Sequence, residues 1–333
     1  MPFNAIVLSK EEKTGFSCSL KSISKQQLLA QEGDTLIQIT YSSINYKDAL
    51  ALTNKSPVVR QWPMVPGIDG VGIVLECRSG RYQKGDIVIL NGWGCGETHW
   101  GCLSQYAYLK SDWLIPLPNK LTNYQAMAIG TAGYTAGLCV QRIVDLGVKP
   151  QDGMVLVTGA SGGVGSIAVA LLTKLGYQVT ASTSKIEEDH YLRQLGAVNI
   201  IDGQTLKETG KPLQKELWSA VVDAVGSHTL ANACAQTQYG GIVVCCGLAQ
   251  GMDLPATVAP FILRGVSLAG VDSVMANYDK RVAAWNLLAH NLDEKVLSHI
   301  SNTITLNDCV EVANKMIAGQ IKGRFVVDVN KRI

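Results

Sequence analysis

At 333 residues the chain exceeds the usual size of one domain, so two domains sharing one cleft are the starting expectation. Apolar residues make up 47% and charged residues 17%, which excludes a disordered or fibrous chain. A formal charge of +2 with scattered basic residues leaves no footprint for nucleic acid or an anionic membrane. The first third predicts short β-runs at 5–8, 35–42, 70–76, 86–90 and 103–109, separated by glycine and proline, as in a small rolled-up β-domain. Within it, Lys47 and Asp48 read as a salt-bridged or capping pair at a helix start.

From Asn123 the pattern changes to apolar runs alternating with helix-length segments, the order of parallel βαβ units, opening with the Ala- and Gly-rich stretch 124–146. Strands are expected at 154–158, 178–182, 199–202, 220–223, 241–246 and 267–270, with helices at 165–175, 187–195 and 279–289. A last β-run at 323–329 is expected to return to the first domain. The fold class is therefore α/β, with a β-rich domain over 1–125 and 266–333 and a doubly wound parallel-sheet domain over 126–265.

No apolar run approaches the roughly 18 residues that cross a bilayer. The opening Met1-Pro2-Phe3-Asn4 lacks the basic-then-apolar order of a signal peptide, so a cytoplasmic location is expected. The nine cysteines form no CxxC pair, which argues against disulfides and a zinc knuckle. Cys245 and Cys246, at the end of an apolar run, read as small buried residues.

The run 154–158 leads straight into Gly159-Ala160-Ser161-Gly162-Gly163-Val164-Gly165 and then a helix rich in Ala and Leu. A strand feeding a glycine-rich turn at a helix N-terminus aims backbone N–H groups and the helix dipole at a pyrophosphate, and glycine permits close approach. The spacing departs from strict G-x-G-x-x-G, so context carries the assignment against an ordinary βα turn. Ser161, Gly162, Gly163 and Val164 are the expected contacts. The end of the next strand separates the nicotinamide cofactors, because an acid there bonds the ribose hydroxyls and a cation accommodates a 2′-phosphate. It reads Ala181-Ser182-Thr183-Ser184-Lys185, without an acid. Thr183, Ser184 and Lys185 therefore predict NADPH, the alternative for Lys185 being a solvated lysine at a helix start. Glu187 and Glu188 read as first-turn acids of the next helix.

The stretches Ser42-Ser43-Ile44-Asn45-Tyr46-Lys47-Asp48, Pro66-Gly67-Ile68-Asp69-Gly70-Val71-Gly72 and Gly130-Thr131-Ala132-Gly133-Tyr134-Thr135-Ala136, with the glycine turn, resemble the medium-chain dehydrogenase/reductase superfamily along nearly the whole chain. The nearest branch is the zinc-free, quinone-oxidoreductase-like one that includes the acrylyl-CoA reductases, which residues 92–101 and Pro260-Phe261-Ile262-Leu263-Arg264 also resemble. The resemblance implies a GroES-like β-rich catalytic domain, a Rossmann domain that binds NADPH, and a homodimer joined through an edge strand near 266–271. Zinc alcohol dehydrogenases of the superfamily place Cys, His and Cys where this chain has Asn45, Ile68 and Thr131, so no metal site is expected.

What the resemblance leaves is hydride transfer from NADPH to an alkene activated by a carbonyl or quinone. The substrate it implies is a small molecule, either an enoyl thioester, with acrylyl-CoA reduced to propionyl-CoA, or a quinone. A non-catalytic nucleotide-binding role is the third reading. Tyr46 is expected to touch the cofactor and, with Asn45, to donate to the developing enolate oxygen, although Tyr46 equally reads as a packing wall. Further cofactor contacts implied are Leu248, Ile262, Ser273 and Arg324, the last reading equally as a surface residue. Asp223 reads as a ligand contact or a helix cap, and His99 as a substrate-loop residue or a satisfied structural histidine. Arg60, Lys280 and Arg281 are the basic candidates for CoA phosphates.

Overall fold

The computed structural model describes residues 2–11 and 15–331. The chain divides into two compact units, one made of residues 1–131, 273–282 and 297–333, the other of 132–272 and 283–296. These borders differ from the expected ones for local reasons. Strand Ser267–Gly270 pairs in parallel with Thr237–Cys245 and so completes the sheet of the second unit. The helical segment Asn123–Asp145 is broken at Gly130, whose φ of 51° and ψ of −163° interrupt the ladder just before the border.

In the first unit, strand Thr35–Ile44 pairs antiparallel with Asp69–Cys77, Arg324–Asp328 and Tyr106–Leu109. It reads as a nearly continuous apolar and small-residue run because no residue along it is exposed. Ser301–Thr305 extends the sheet beyond Arg324–Asp328, and Ile87–Asn91 with Leu114–Pro116 extend it on the other side. Ile6, Leu8, Ile37, Ile39, Ile44, Leu52 and Leu103 fill the core beneath. Burying side chains of this size contributes about 1.5–3 kcal/mol each. Helix Tyr46–Leu52 packs against Cys309–Ile317, a helix that the strand-dominated reading of this domain did not anticipate. The hairpin partner Gly15–Ile23 of strand Phe3–Glu11 was not anticipated either, because most of its residues are exposed and its apolar residues form no continuous run.

The second unit carries six parallel strands in the order Asn199–Asp202, Gln178–Thr183, Met154–Thr158, Trp218–Asp223, Thr237–Cys245 and Ser267–Gly270. This is the doubly wound order, counted third, second, first, fourth, fifth, sixth along the chain. Val155, Leu156, Val157, Val221, Val222 and Val243 are fully buried, as strands covered on both faces require. The strand order reverses between Met154–Thr158 and Trp218–Asp223, and the carboxyl end of a sheet at such a switch point is where α/β proteins bind ligands. The glycine turn stands there. The expected helix at 187–195 is shorter than predicted, a 3₁₀ turn Ile186–Glu188 followed by Asp189–Gln194, so Glu187 and Glu188 precede the α-helix rather than form its first turn.

Candidate active site

Three strand ends of the first unit deliver polar groups to one buried point. Thr35–Ile44 ends with Ser43 beside Asn45, the N-cap of helix Tyr46–Leu52. Asp69 opens Asp69–Cys77 and lies opposite Asn91 in the ladder. Asp69 is fully buried, and its carboxylate accepts from Ser43 Oγ (2.6 Å), Asn45 Nδ2 (2.7 Å), Asn91 Nδ2 (2.6 Å), Thr131 Oγ1 (2.5 Å) and the Thr131 N–H (2.8 Å). A buried carboxylate needs such donors, because losing hydration costs several kcal/mol. Its cation is Arg324, with Nη2 3.6 Å away.

Arg324 is buried and spends its guanidinium on Ala128 O (Nε, 3.2 Å), Asn45 Oδ1 (Nη1, 2.9 Å), Ile44 O (Nη1, 3.4 Å) and Ser43 Oγ (Nη2, 2.9 Å). Burial lowers its pKa, opposed by the charges of Asp69 and Asp48. Gly130 makes room for this pair. A Cβ there would fall on Arg324 Nη2 and lie 2.6 Å from Asp69 Oδ2, and the kink turns the Thr131 N–H toward Asp69.

Asp48 anchors the helix start from below. Its Oδ2 accepts from the Asn45 N–H (2.9 Å) and Asn45 Nδ2 (3.3 Å), and its Oδ1 accepts from the Ile68 N–H (3.0 Å). Burial pushes its carboxyl up to about 7; the donors from Asn45 and Ile68 pull down and the charge of Asp69 pushes up. Lys47 pairs with Glu97 at 2.5 Å, not with Asp48, so the expected pair resolves into a cap and a separate ion pair.

Two expectations are corrected here. Asn45 is not an available donor to substrate, because both ends of its amide are engaged by Asp69, Asp48 and Arg324. Arg324 is neither a surface residue nor an open cofactor contact, since its donors are spent within the first unit. Both hold the helix start in place. Tyr46, the first residue of that helix, is 50% exposed, and its hydroxyl has no partner among the described residues.

The loop of residues 92–101 is braced by Arg281, whose guanidinium lies 4.3 Å over the Trp93 ring and donates to the carbonyls of Asn91, Ser273, Val274 and Ala276. Arg281 is buried and unavailable to CoA phosphates, and Ser273 enters as the carbonyl it holds. His99 is structural, with Nδ1 2.8 Å from Trp100 O and Nε2 2.5 Å from Glu32 O.

In the second unit Gly159 adopts φ 59° and its carbonyl accepts the Gly162 N–H at 3.0 Å, closing the turn before helix Gly163–Lys174. Gly162 caps that helix with no side-chain hydrogen bond, which leaves the first N–H groups for an anion. A Cβ on Gly165 would overlap the Gly159 carbonyl, so the turn and helix fit only with glycine there. Ser161 Oγ bonds Thr183 Oγ1 at 2.9 Å, and the Lys185 N–H donates to the same Thr183 oxygen at 3.1 Å. Ser184 is exposed and Lys185 half-buried beside it, with no acid on the strand tip. These residues fit a 2′-phosphorylated dinucleotide. Leu248 and Ile262 are exposed, 58% and 72%. Asp223 is a cap, its carboxylate accepting from Thr158 Oγ1 and the N–H groups of Val225 and Gly226, with its pKa raised by burial.

A zinc ion does not fit the first unit. Asn45 and Thr131 spend their polar atoms on Asp69, Ile68 offers only a backbone N–H to Asp48, and among the described residues no three His, Cys, Asp or Glu side chains are grouped to hold a metal. The cysteines are free thiols. Burial pushes Cys18 up to about 11 and Cys234 to about 12, which leaves both unreactive.

Family models match both parts of the chain, the alcohol dehydrogenase GroES-like domain over residues 31–119 and the zinc-binding dehydrogenase domain over 163–289. The acrylyl-CoA reductase AcuI of Ruegeria pomeroyi is 46% identical, covering 98% of this chain and 99% of its own. The chain belongs to the zinc-free, quinone-oxidoreductase-like branch of the medium-chain dehydrogenase/reductase superfamily, with the acrylyl-CoA reductases. The putative quinone oxidoreductase YhfP of Bacillus subtilis is 42% identical over 93% of this chain and 94% of its own. The crystal structure of the YhdH oxidoreductase from Salmonella enterica in complex with NADP has a TM-score of 0.95 at 46% identity, covering 98% of this chain and 100% of that one. This chain thus carries a GroES-like domain and a Rossmann-type parallel sheet.

Asp69 and Gly130 stand inside the family motifs with no task that local pattern assigns them, and nothing in the sequence marks Asn91. The available signal was an acid embedded in the apolar run Gly67-Ile68-Asp69-Gly70-Val71, since a buried acid demands partners. Asn91 carries no such signal, because only strand register brings it to Asp69.

Proposed function

We propose that this protein reduces acrylyl-CoA to propionyl-CoA at the expense of NADPH. The observation that carries the reading is identity to an acrylyl-CoA reductase along the whole length of both chains, with a strand tip that has no acid and offers Thr183, Ser184 and Lys185. Bound NADPH would supply a hydride to the β-carbon of the thioester.

Ser161, Gly162, Gly163 and Val164 would hold the pyrophosphate on the backbone of the helix start. Thr183, Ser184 and Lys185 would take the 2′-phosphate. Leu248 and Ile262 would supply apolar contact to the dinucleotide from their exposed positions. The Tyr46 hydroxyl, without a partner among the described residues, would donate to the thioester oxygen as it gains charge, the α-carbon taking its proton from solvent. Asn45, Asp48, Asp69 and Arg324 position Tyr46 without touching substrate.

No helix of the described residues is long and apolar enough to cross a membrane, and we place the protein in the cytoplasm. We also infer a homodimer paired through Ser267–Gly270, which forms one edge of the six-stranded sheet. The likeness to YhfP supports a second reading, reduction of quinones. The test is NADPH oxidation with acrylyl-CoA beside a simple quinone. Propionyl-CoA formation with much higher kcat/KM than quinone reduction supports the first reading, and the reverse order replaces it with the second.

A further inference from the structure

An open cavity of about 320 Å³ lies at the far end of the helix that carries Tyr46. Its walls follow from three local features. Helix Tyr46–Leu52 stops where Asn54 enters the left-handed region at φ 51°, with the Lys55 N–H returning to Leu50 O at 3.1 Å, a C-cap that turns Lys55 and Ser56 outward. Strand Phe3–Glu11 contributes Lys10, opposite Phe16 in the hairpin register. Paired hydrogen bonds between Leu8 and Met64 hold the segment of Trp62 against that strand, and the Phe16 and Trp62 rings meet edge to face at 6.2 Å.

The lining is chemically one-sided. Lys10, Lys55, Asn54 and Ser56 offer donors, Trp62 offers an indole, and among the described residues no acid lines the cavity. Among the described residues neither lysine has an ion pair. Two cations, two neutral polar groups and an aromatic ring suit a phosphorylated nucleotide, with phosphates on the ammonium groups and the base against the indole.

We propose that this cavity binds the 3′-phosphoadenosine end of a coenzyme A thioester, which rests on the substrate reading above. The dinucleotide is accounted for by the glycine turn of the other unit, so the phosphates to be held here belong to a second nucleotide. Position agrees. Eight steps of mostly helical chain lead from Tyr46 to Asn54, about 12 Å at the α-helical rise, and an extended pantetheine arm spans such a distance from thioester to nucleotide. Arg60, exposed and close in sequence, does not line the cavity.

The test compares the native protein with the double variant Lys10→Ala, Lys55→Ala, both residues exposed and outside the reacting centre. Titration calorimetry in saturating NADP, which fills the dinucleotide site, measures binding of adenosine 3′,5′-bisphosphate. Steady-state kinetics then compare acrylyl-CoA with the acrylyl thioester of N-acetylcysteamine, which lacks the nucleotide. The expected result is bisphosphate binding weakened at least tenfold and a KM for acrylyl-CoA raised by about as much. The kcat, the KM for the short thioester and the NADPH affinity should hold. Native protein that reduces acrylyl-CoA with a KM unchanged in the double variant overturns the cavity and keeps the substrate reading. Native protein that binds the bisphosphate through these lysines yet leaves acrylyl-CoA unreduced keeps the cavity as a nucleotide site and overturns the substrate reading.

Discussion

Gly130→Ala tests the buried network at its tightest point. Two costs are read from the structure. At φ 51° and ψ −163° an alanine occupies backbone space that is essentially reserved for glycine, a strain of about 1–3 kcal/mol. Its Cβ would also fall on Arg324 Nη2 and lie 2.6 Å from Asp69 Oδ2 and 2.9 Å from Ser43 Oγ. One of these partners must move, and splitting a buried ion pair costs about 3–5 kcal/mol. A loss of at least about 4 kcal/mol follows, a large share of the roughly 5–15 kcal/mol that holds a domain folded. Urea unfolding followed by tryptophan fluorescence reads this directly, because Trp62, Trp93, Trp100 and Trp113 lie in the first unit. Gly80→Ala is the control in the same unit, with φ 76° and nothing within 4 Å of an added Cβ, so backbone strain of about 1–2 kcal/mol is all it should show. Equal losses in the two variants would refute the argument that close approach to Arg324 and Asp69 selects glycine at position 130.

Tyr46→Phe should lower the single-turnover rate of NADPH oxidation by about 10²-fold with NADPH affinity unchanged, and a rate near the native one would reduce Tyr46 to a packing wall. Lys185→Ala should weaken the preference for NADPH over NADH by about 1–3 kcal/mol, measured as the ratio of dissociation constants; equal native affinities would remove Lys185 from the 2′-phosphate. Asp48→Asn tests a pH term: with the folded carboxyl raised to about 7 and the unfolded one near 3.9, the folded state holds the extra proton between those values. Stability should therefore fall by up to about 4 kcal/mol as pH rises from 4 to 7, then level off, and the variant should lack that slope; an unchanged slope would place it on other groups. Turnover should survive exhaustive chelation, and activity lost to a chelator and restored by Zn²⁺ would show that Asn45, Ile68 and Thr131 were given the wrong places.

The second unit was legible in the sequence because its central parallel strands, buried on both faces, are apolar runs, as at Met154–Thr158, and the half-exposed edge strands Asn199–Asp202 and Ser267–Gly270 follow from the same βαβ alternation. The glycine turn was legible for the same reason, as a local feature tied to one strand and one helix. The first unit was read only in outline. Strand Gly15–Ile23 is too exposed to announce itself, and helix Tyr46–Leu52 is too short for its period to register beyond its cap. Arg324 illustrates the harder limit. Arginine is exposed far more often than buried, and what buries this one is 255 residues away in sequence at Asp69 and 279 at Asn45. Nothing near Arg324 records that partnership, so its propensity pointed to the surface and the family resemblance to the cofactor, whereas its donors are spent within the first unit.

The network around Asp69 also narrows which group can polarise a substrate in the first unit. The Asp69 carboxylate is met by five donor contacts and faced by a guanidinium, so its charge is answered inside the protein. Asn45 and Thr131, at positions where zinc-dependent relatives carry metal ligands, face the same carboxylate and have turned their polar atoms inward. A group committed to a buried carboxylate cannot turn to a developing oxyanion without leaving a charge unpaired, a penalty of several kcal/mol and larger than the roughly 3–4 kcal/mol one oxyanion donor supplies. Rigidity is what these residues supply. They fix the backbone at Asn45, and through it the first turn of Tyr46–Leu52, where Tyr46 is half-exposed and its hydroxyl has no partner among the described residues. On the proposed chemistry the electrophile is therefore a single phenol on a rigid mount, and a loosened mount, as in Asp69→Asn, should lower kcat while Tyr46 itself is unaltered.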